Sequence, residues 1–180
     1  MTGNFWWKSA IIYEVYVDKF AGNFRGMAEK LPYLKDLGIN CVWLLPHYPS
    51  PMIDGGYDVS DFMAVRRELG TLEDFGFFIK KAHRAGIRVI VDLVLNHVSI
   101  EHPWFIEAAS SLNNPKRNYF LWSRFGKEFS GAYNPFSHLT EGNWVSNKKT
   151  GDYYFATFFK EQADLNWDNP EVLTEITKVI

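Results

Sequence analysis

Three short segments carry the residue types that bind or transform a polar small molecule. The first is His47-Tyr48-Pro49-Ser50-Pro51, followed by Asp54-Gly55-Gly56-Tyr57-Asp58. Its paired glycines allow a tight turn, which brings an acid and an aromatic ring together. The second is Asp92-Leu93-Val94-Leu95-Asn96-His97, where an amide and an imidazole close an apolar run. The third is Gln162-Ala163-Asp164-Leu165-Asn166-Trp167, preceded by Tyr153-Tyr154-Phe155-Ala156-Thr157-Phe158-Phe159. Aromatic planes stack on the C–H faces of sugar rings, and sugar hydroxyls need Asp, Asn, Gln and His partners, so this mixture suits a carbohydrate cleft. Structural alternatives stand beside it. Asp and Gly serve ordinary turns, and a lone histidine is often a packing group. Alternating aromatics make a half-buried strand, Asp-Leu-Asn makes a cap, and aromatic excess also marks protein interfaces. Asp92 lies inside its apolar run. A buried carboxylate there needs an arginine or several donors, so it is expected to support its neighbours rather than react.

The elements that must position these segments alternate. Ile11 to Val17 is rich in β-branched and aromatic residues and reads as a strand. Phe24, Met27, Leu31, Leu34 and Leu37 then recur at helical spacing, with Gly38 as the C-terminal stop and Pro32 as a kink or a late start. Cys41 to Leu45 is a short apolar strand stopped by Pro46. Thr71-Leu72-Glu73-Asp74 resembles a capping box opening a helix whose apolar face is Phe75, Phe78, Ile79 and Ala82, ended by Gly86. Arg88 to Leu95 is a near-continuous apolar strand. A long stretch from about Ser99 to Asn166 reads as irregular, and Asn169-Pro170-Glu171 opens a last helix along Val172, Ile176 and Val179. The order β-α-β-α-β, long insert, α predicts an α/β fold with a parallel sheet, either open and doubly wound or part of an eight-stranded barrel. A loop of that length is functional or a small subdomain. Sites in such folds lie beyond the carboxyl ends of the strands, where the first two segments fall.

Composition narrows the function further. Of 180 residues 47% are apolar, enough for a packed core, and the net charge is −2. That balance excludes a strongly basic nucleic-acid binder and a polybasic membrane anchor. No apolar run approaches the roughly 20 residues that span a bilayer, and Met1 to Trp7 show no signal-peptide pattern, so the expected compartment is cytoplasmic. The single cysteine, Cys41, excludes a disulfide framework. His83, His97, His102 and His138 lack ligand spacing, and neither a dinucleotide fingerprint nor a P-loop nor a nucleophile elbow occurs. No metal and no cofactor are expected.

At the three segments the sequence resembles the α-amylase superfamily, glycoside hydrolase family 13, over about Ile12 to Val172. Asp92 to His97 looks like that family's signature at the end of barrel strand three. Gly38 to Pro51 with Asp54 to Asp58 looks like its second strand and loop. Gln162-Ala163-Asp164-Leu165-Asn166 is similar to the signature near the end of its inserted domain B, in the branch holding oligo-1,6-glucosidases, trehalose synthases and sucrose-acting enzymes. The resemblance implies a partial (β/α)8 barrel: strands 1–3 and helices 1–2 over residues 1–98, domain B over 99–166, and return to the barrel at 167–180. It implies that Tyr57 stacks under the glucose in the −1 subsite, that Asp54 holds the non-reducing-end hydroxyl, and that His97 bonds the 6-hydroxyl. Phe158 and Gln162 would line the −1/+1 boundary, while Asp92, Asn96 and Asp164 orient the loops.

Two departures matter. Ala21-Gly22-Asn23-Phe24 has no carboxylate where many relatives carry a calcium loop, and Ala163 stands where the signature has proline. In this family the nucleophile, general acid and third acid follow strands four, five and seven, and retaining glycosidases need two carboxyls about 5 Å apart. A complete barrel takes roughly 250 residues. The expectation is therefore a fragment, inactive alone, of an α-retaining glycosidase or transglucosylase acting on short α-glucosides of the maltose, isomaltose, sucrose or trehalose type. The alternative is a non-catalytic amylase-like scaffold or sugar-binding protein. An open-sheet module complete in itself would leave an unprotected apolar edge.

Overall fold

In the computed structural model, residues 5–138 and 140–180 are described. They divide into two units, one of Met1–Pro49 with Ala64–Leu93, the other of Ser50–Met63 with Val94–Ile180.

The first unit is built on a parallel sheet of three strands, β1 (Ile12–Val15), β2 (Cys41–Leu44) and β3 (Arg88–Val91), in spatial order 1-2-3. Tyr13, Val42 and Val89 stand in register, as do Val15, Leu44 and Val91. A short helix α1 (Val17–Ala21) and helix α2 (Phe24–Asp36) join β1 to β2, and α3 (Leu72–Arg84) leads to β3. Period two selects one face of the sheet. Val15, Val42 and Leu44 on that face share a core with Phe24, Met27, Leu31 and Leu34 of α2 and with Phe78 and Ala82 of α3. The predicted helical faces are therefore the buried ones, except that Leu37 lies outside α2 and is half exposed. Pro32 sits inside α2 without ending it; its missing N–H leaves one helical bond unmade.

Both helix-to-strand joints close alike. Gly38 and Gly86 take φ of 81° and 75°, and the next residue's amide reaches back, Ile39 to the Leu34 carbonyl (3.0 Å) and Ile87 to that of Ala82 (2.9 Å). At the other end of α3 the capping box forms. Asp74 N–H donates to Thr71 Oγ1, and Thr71 N–H donates to Asp74 Oδ2. Arg25 Nε donates to the same carboxylate at 2.5 Å, tying α2 to α3 and holding the Asp74 carboxyl below its usual range.

The strand at Arg88 is shorter than its apolar run. β2 meets Leu45 and then Pro46, which has no donor, so the ladder lapses after Asp92 N–H bonds the Leu44 carbonyl (2.8 Å). Asp92 is thus half-buried at the strand mouth rather than buried within the strand, and Tyr48 Oη donates to its backbone carbonyl at 3.2 Å.

The second unit corrects the expectation of an irregular stretch. It contains β4 (His97–Ser99), α4 (Pro103–Ala108), β5 (Trp122–Ser123), β6 (Trp144–Asn147), β7 (Asp152–Phe155), β8 (Gln162–Asp164) and α5 (Pro170–Thr177). Strands 5-7-6 form an antiparallel sheet, and β4 pairs antiparallel with β8. These strands are two to four residues long, too short for periodicity to register, except that β7 falls on the alternating aromatics from Tyr153. Arg117 pins the unit internally. It is buried, pairs with buried Asp152, donates to the Ala108 carbonyl (3.0 Å) and lies over the Trp122 ring. In α5, Val172 and Ile176 are buried as expected.

Candidate functional site

All five residues expected to touch a sugar fall in the second unit, on three separate stretches of chain. The first stretch, 50–58, leaves β2 in sequence and is organised by Asp58. That side chain is fully buried and accepts from Ser50 Oγ (2.7 Å), Ile53 N (2.9 Å) and Asp54 N (3.2 Å). Gly55 and Gly56 both take positive φ, 58° and 105°, and Tyr57 N–H closes the turn on the Asp54 carbonyl at 2.9 Å. Asp54 and Tyr57 end half-buried at its surface.

The β4–β8 ladder supplies the other two stretches. His97 stands opposite Asp164 and Ser99 opposite Gln162. Ser99 N–H donates to the Val59 carbonyl (2.8 Å), tying this ladder to the first loop. Gln162 Nε2 donates to Asp54 Oδ2 at 2.8 Å, across 108 residues of sequence. His97 Nε2 meets the Tyr57 carbonyl at 3.2 Å, and its ring sits edge-on to Phe158 with centroids 5.3 Å apart. Asp54, Tyr57, His97, Phe158 and Gln162 are thereby one cluster.

The supporting groups are also placed. Asp164 Oδ1 accepts from Thr157 N (2.9 Å) and Oδ2 from Thr157 Oγ1 (2.6 Å), which anchors the residue before Phe158. Asn96 bonds the same carboxylate and sets Nδ2 3.2 Å from His97 Nδ1. An amide nitrogen can only donate, so Nδ1 accepts, the imidazole proton lies on Nε2, and Nε2 donates to the Tyr57 carbonyl. Asp92 belongs to the first unit.

Burial sets the charge states. It lowers the His97 pKa to about 4 against the opposing Tyr57 bond and Asp58 charge, so the ring is neutral near pH 7. Burial also raises Asp54, an effect opposed by the Gln162 bond and reinforced by Asp58. Asp164 is raised by burial and pulled back by the Thr157 and Asn96 bonds. Gln162 differs from its expected place on a pocket wall. It is completely buried, with Oε1 accepting from Phe159 N (3.0 Å) and Nε2 occupied by Asp54. Asp58, Thr157 and the Phe159 amide carry organising roles that the sequence reading did not assign. The eight-residue spacing of Ser50 and Asp58 around a Gly-Gly turn is the one signal that could have exposed Asp58; nothing comparable marks Thr157 or Phe159.

Among the described residues no three His, Cys, Asp or Glu side chains gather as metal ligands. Asn23, in the stretch compared with a calcium loop, caps α2 by accepting from Gly26 N at 2.9 Å. Among the described residues, too, no helix is long and apolar enough to cross a membrane.

A model of the alpha-amylase catalytic domain matches residues 7–180. The chain is 42% identical over 182 residues to an oligo-1,6-glucosidase of Parageobacillus thermoglucosidasius, covering 97% of this chain and 32% of that protein. It is 43% identical over 174 residues to a trehalose synthase of Pimelobacter, covering 93% and 30%. Among solved structures it superposes on trehalulose synthase MutB from Pseudomonas mesoacidophila with a TM-score of 0.87 at 40% identity, covering 98% of this chain and 33% of that one. The same enzyme has been solved, as a mutant, in complex with its substrate sucrose. The chain spans about a third of the length of the relatives it matches.

Proposed function

The chain belongs to the alpha-amylase catalytic-domain family, and on that premise we propose that it is the first part of an α-retaining glycosidase or transglucosylase acting on short α-glucosides. The observation that carries the proposal is the cluster itself. An acid, two aromatic rings, an imidazole and an amide meet from three stretches of chain, with Asp54 bonded to Gln162 and His97 bonded to the Tyr57 backbone. In the proposed site Tyr57 stacks on the glucosyl ring, Asp54 accepts from its non-reducing-end hydroxyls and Phe158 closes the aglycone side. The His97 Nε2–H is shared between the 6-hydroxyl and the Tyr57 carbonyl. A site that clamps the sugar's end favours short substrates. The relatives point the same way, being named for oligo-1,6-glucosidase, trehalose synthase and trehalulose synthase activities.

The fold supports the barrel part of the proposal. The strand order 1-2-3 has no reversal, and α2 and α3 share one core on a single face of the sheet, whereas a doubly wound sheet reverses its order and carries helices on both faces. We place the barrel's opening third in residues 1–98, domain B in 99–166 and the return to the barrel in 167–180. The catalytic carboxylates belong to the remaining two thirds of such an enzyme. Chemistry would follow the retaining course through a covalent glucosyl-enzyme, with water or a second sugar as acceptor. The lone buried thiol of Cys41 fits a reducing, cytoplasmic setting.

The test is to incubate the whole protein with maltose, isomaltose, sucrose and trehalose and to follow the first product by proton NMR. An α-configured glucosyl product and one hexosyl adduct per protein in rapid-quench mass spectra are expected. The 180-residue segment alone is expected to be inert. A β-configured first product, or no turnover by the whole protein, overturns the proposal.

A further inference from the structure

We propose that Gln162 is a positioning residue that acts on the substrate only through Asp54, its carboxamide fixing the direction of that carboxylate. The inference deepens the proposed α-glucoside site and rests on it. Gln162 is completely buried and offers a sugar no surface. Both ends of its amide are used: Oε1 accepts from Phe159 N at 3.0 Å, and Nε2 donates to Asp54 Oδ2 at 2.8 Å. Rotating the amide by half a turn would set oxygen against carboxylate and N–H against N–H, so each end enforces the other. The backbone repeats the constraint, because Gln162 N–H donates to the Phe159 carbonyl at 2.9 Å and Gln162 is held in the ladder opposite Ser99.

Asp54 needs such a partner. It is half-buried beside the buried carboxylate of Asp58, and both burial and that charge push its proton affinity up, while the Gln162 bond pulls it down. Besides the Tyr57 phenol, the titratable groups around it are His97 on β4, held neutral by burial, and Asp164 on β8, already satisfied by Thr157 and Asn96. The Gln162 amide therefore aims Asp54 and opposes the rise in its proton affinity.

The experiment uses the whole protein with Gln162→Glu, Gln162→Leu, Asp54→Asn and the double variant that combines Asp54→Asn with Gln162→Glu. Gln162→Glu sets two carboxylates against each other. Its kcat/KM on an α-glucoside should fall about 10- to 100-fold at pH 7, as expected for loss of a hydrogen bond to a charged group, mainly through KM. Part should return at pH 5, where the pair shares a proton. In the Asp54→Asn background the same change should cost less than about threefold, because it has no carboxylate left to act through. In the double variant donor and acceptor have exchanged sides, so the bond can form again in reverse, and thermal stability should return without KM. Equal losses in both backgrounds would show that Gln162 touches the substrate itself, and an unchanged KM in Gln162→Glu would show that Asp54 needs no positioning; either overturns the proposal. A second readout is independent of turnover: the Asp54 carboxyl, followed by carbon NMR, should titrate higher in Gln162→Leu than in wild type, and an unmoved titration overturns the proposal. If the whole protein turns over no α-glucoside, the proposed function falls while this titration still decides the role of Gln162.

Discussion

His47 makes the protein sensitive to mild acid, and the size of the effect follows from its surroundings. The ring is buried, stacked between Tyr48 and Phe75 at centroid distances of 4.5 and 5.0 Å, with the Phe24 edge against it. Its Nδ1 has no hydrogen-bond partner among the described residues. Burial lowers its pKa from 6.5 to about 4. The unfolded chain takes up a proton near pH 6.5 and the folded chain refuses it until about pH 4. Stability from this group is therefore complete above pH 6.5 and is lost as the pH falls toward 4. Each pH unit in that window costs about 1.4 kcal/mol, so this one ring accounts for about 3 kcal/mol. Burial gives His97 and His102 the same shift, to about 4. Together the three are comparable with the roughly 5–15 kcal/mol that holds an ordinary domain folded. His47→Phe keeps the stacking and removes both the proton and the orphaned nitrogen. Its absolute stability at pH 7 mixes relief of that nitrogen with the strain of a larger ring, each about 1–3 kcal/mol, but both contributions cancel in a pH difference. Urea unfolding by tryptophan fluorescence at pH 7 and pH 4.5, which spans most of that window, should show the variant losing about 2.5 kcal/mol less than wild type. A variant that loses as much as wild type would refute the reasoning.

Other perturbations have equally definite outcomes. Arg117→Met strands the buried Asp152 carboxylate and should cost about 3–5 kcal/mol, read as a lowered denaturation midpoint; Arg117→Met with Asp152→Leu should recover most of it. Thr71→Ala removes the acceptor for Asp74 N–H and should cost about 1 kcal/mol by the same measurement. Asp164→Asn loses an acceptor for Thr157 and should raise KM for an α-glucoside about tenfold in the whole protein, through the displaced Phe158 ring.

Local signals that run through a whole element or mark its end were legible in the sequence. The apolar faces of α2 and α3, the capping box at Thr71, the glycine stops and the parallel strands follow from period and local chemistry, and they appear where expected. Of the strands between 99 and 166 only β7 showed itself, in the alternating aromatics from Tyr153; the others were not legible, because two to four residues carry too little periodicity to separate strand from loop. Asp54, Tyr57, His97, Phe158 and Gln162 could be named from three motifs, and the structure gathers them. The burial of Gln162 could not be read, since it depends on the Phe159 amide three residues away and on Asp54 a hundred residues away. The expected burial of Asp92 failed in the opposite sense, because composition cannot show where a ladder stops.

Asp58 carries a consequence for how a ligand would be received. With three donors converging on one enclosed carboxylate, the 50–58 loop acquires its shape during folding, and arrival of a sugar has no loop left to organise. Association should then be quick and nearly rigid, with little change in heat capacity beyond that from the desolvated ring faces. Discrimination among glucosides would reside in how long each stays, so residence times should separate them more widely than arrival rates do.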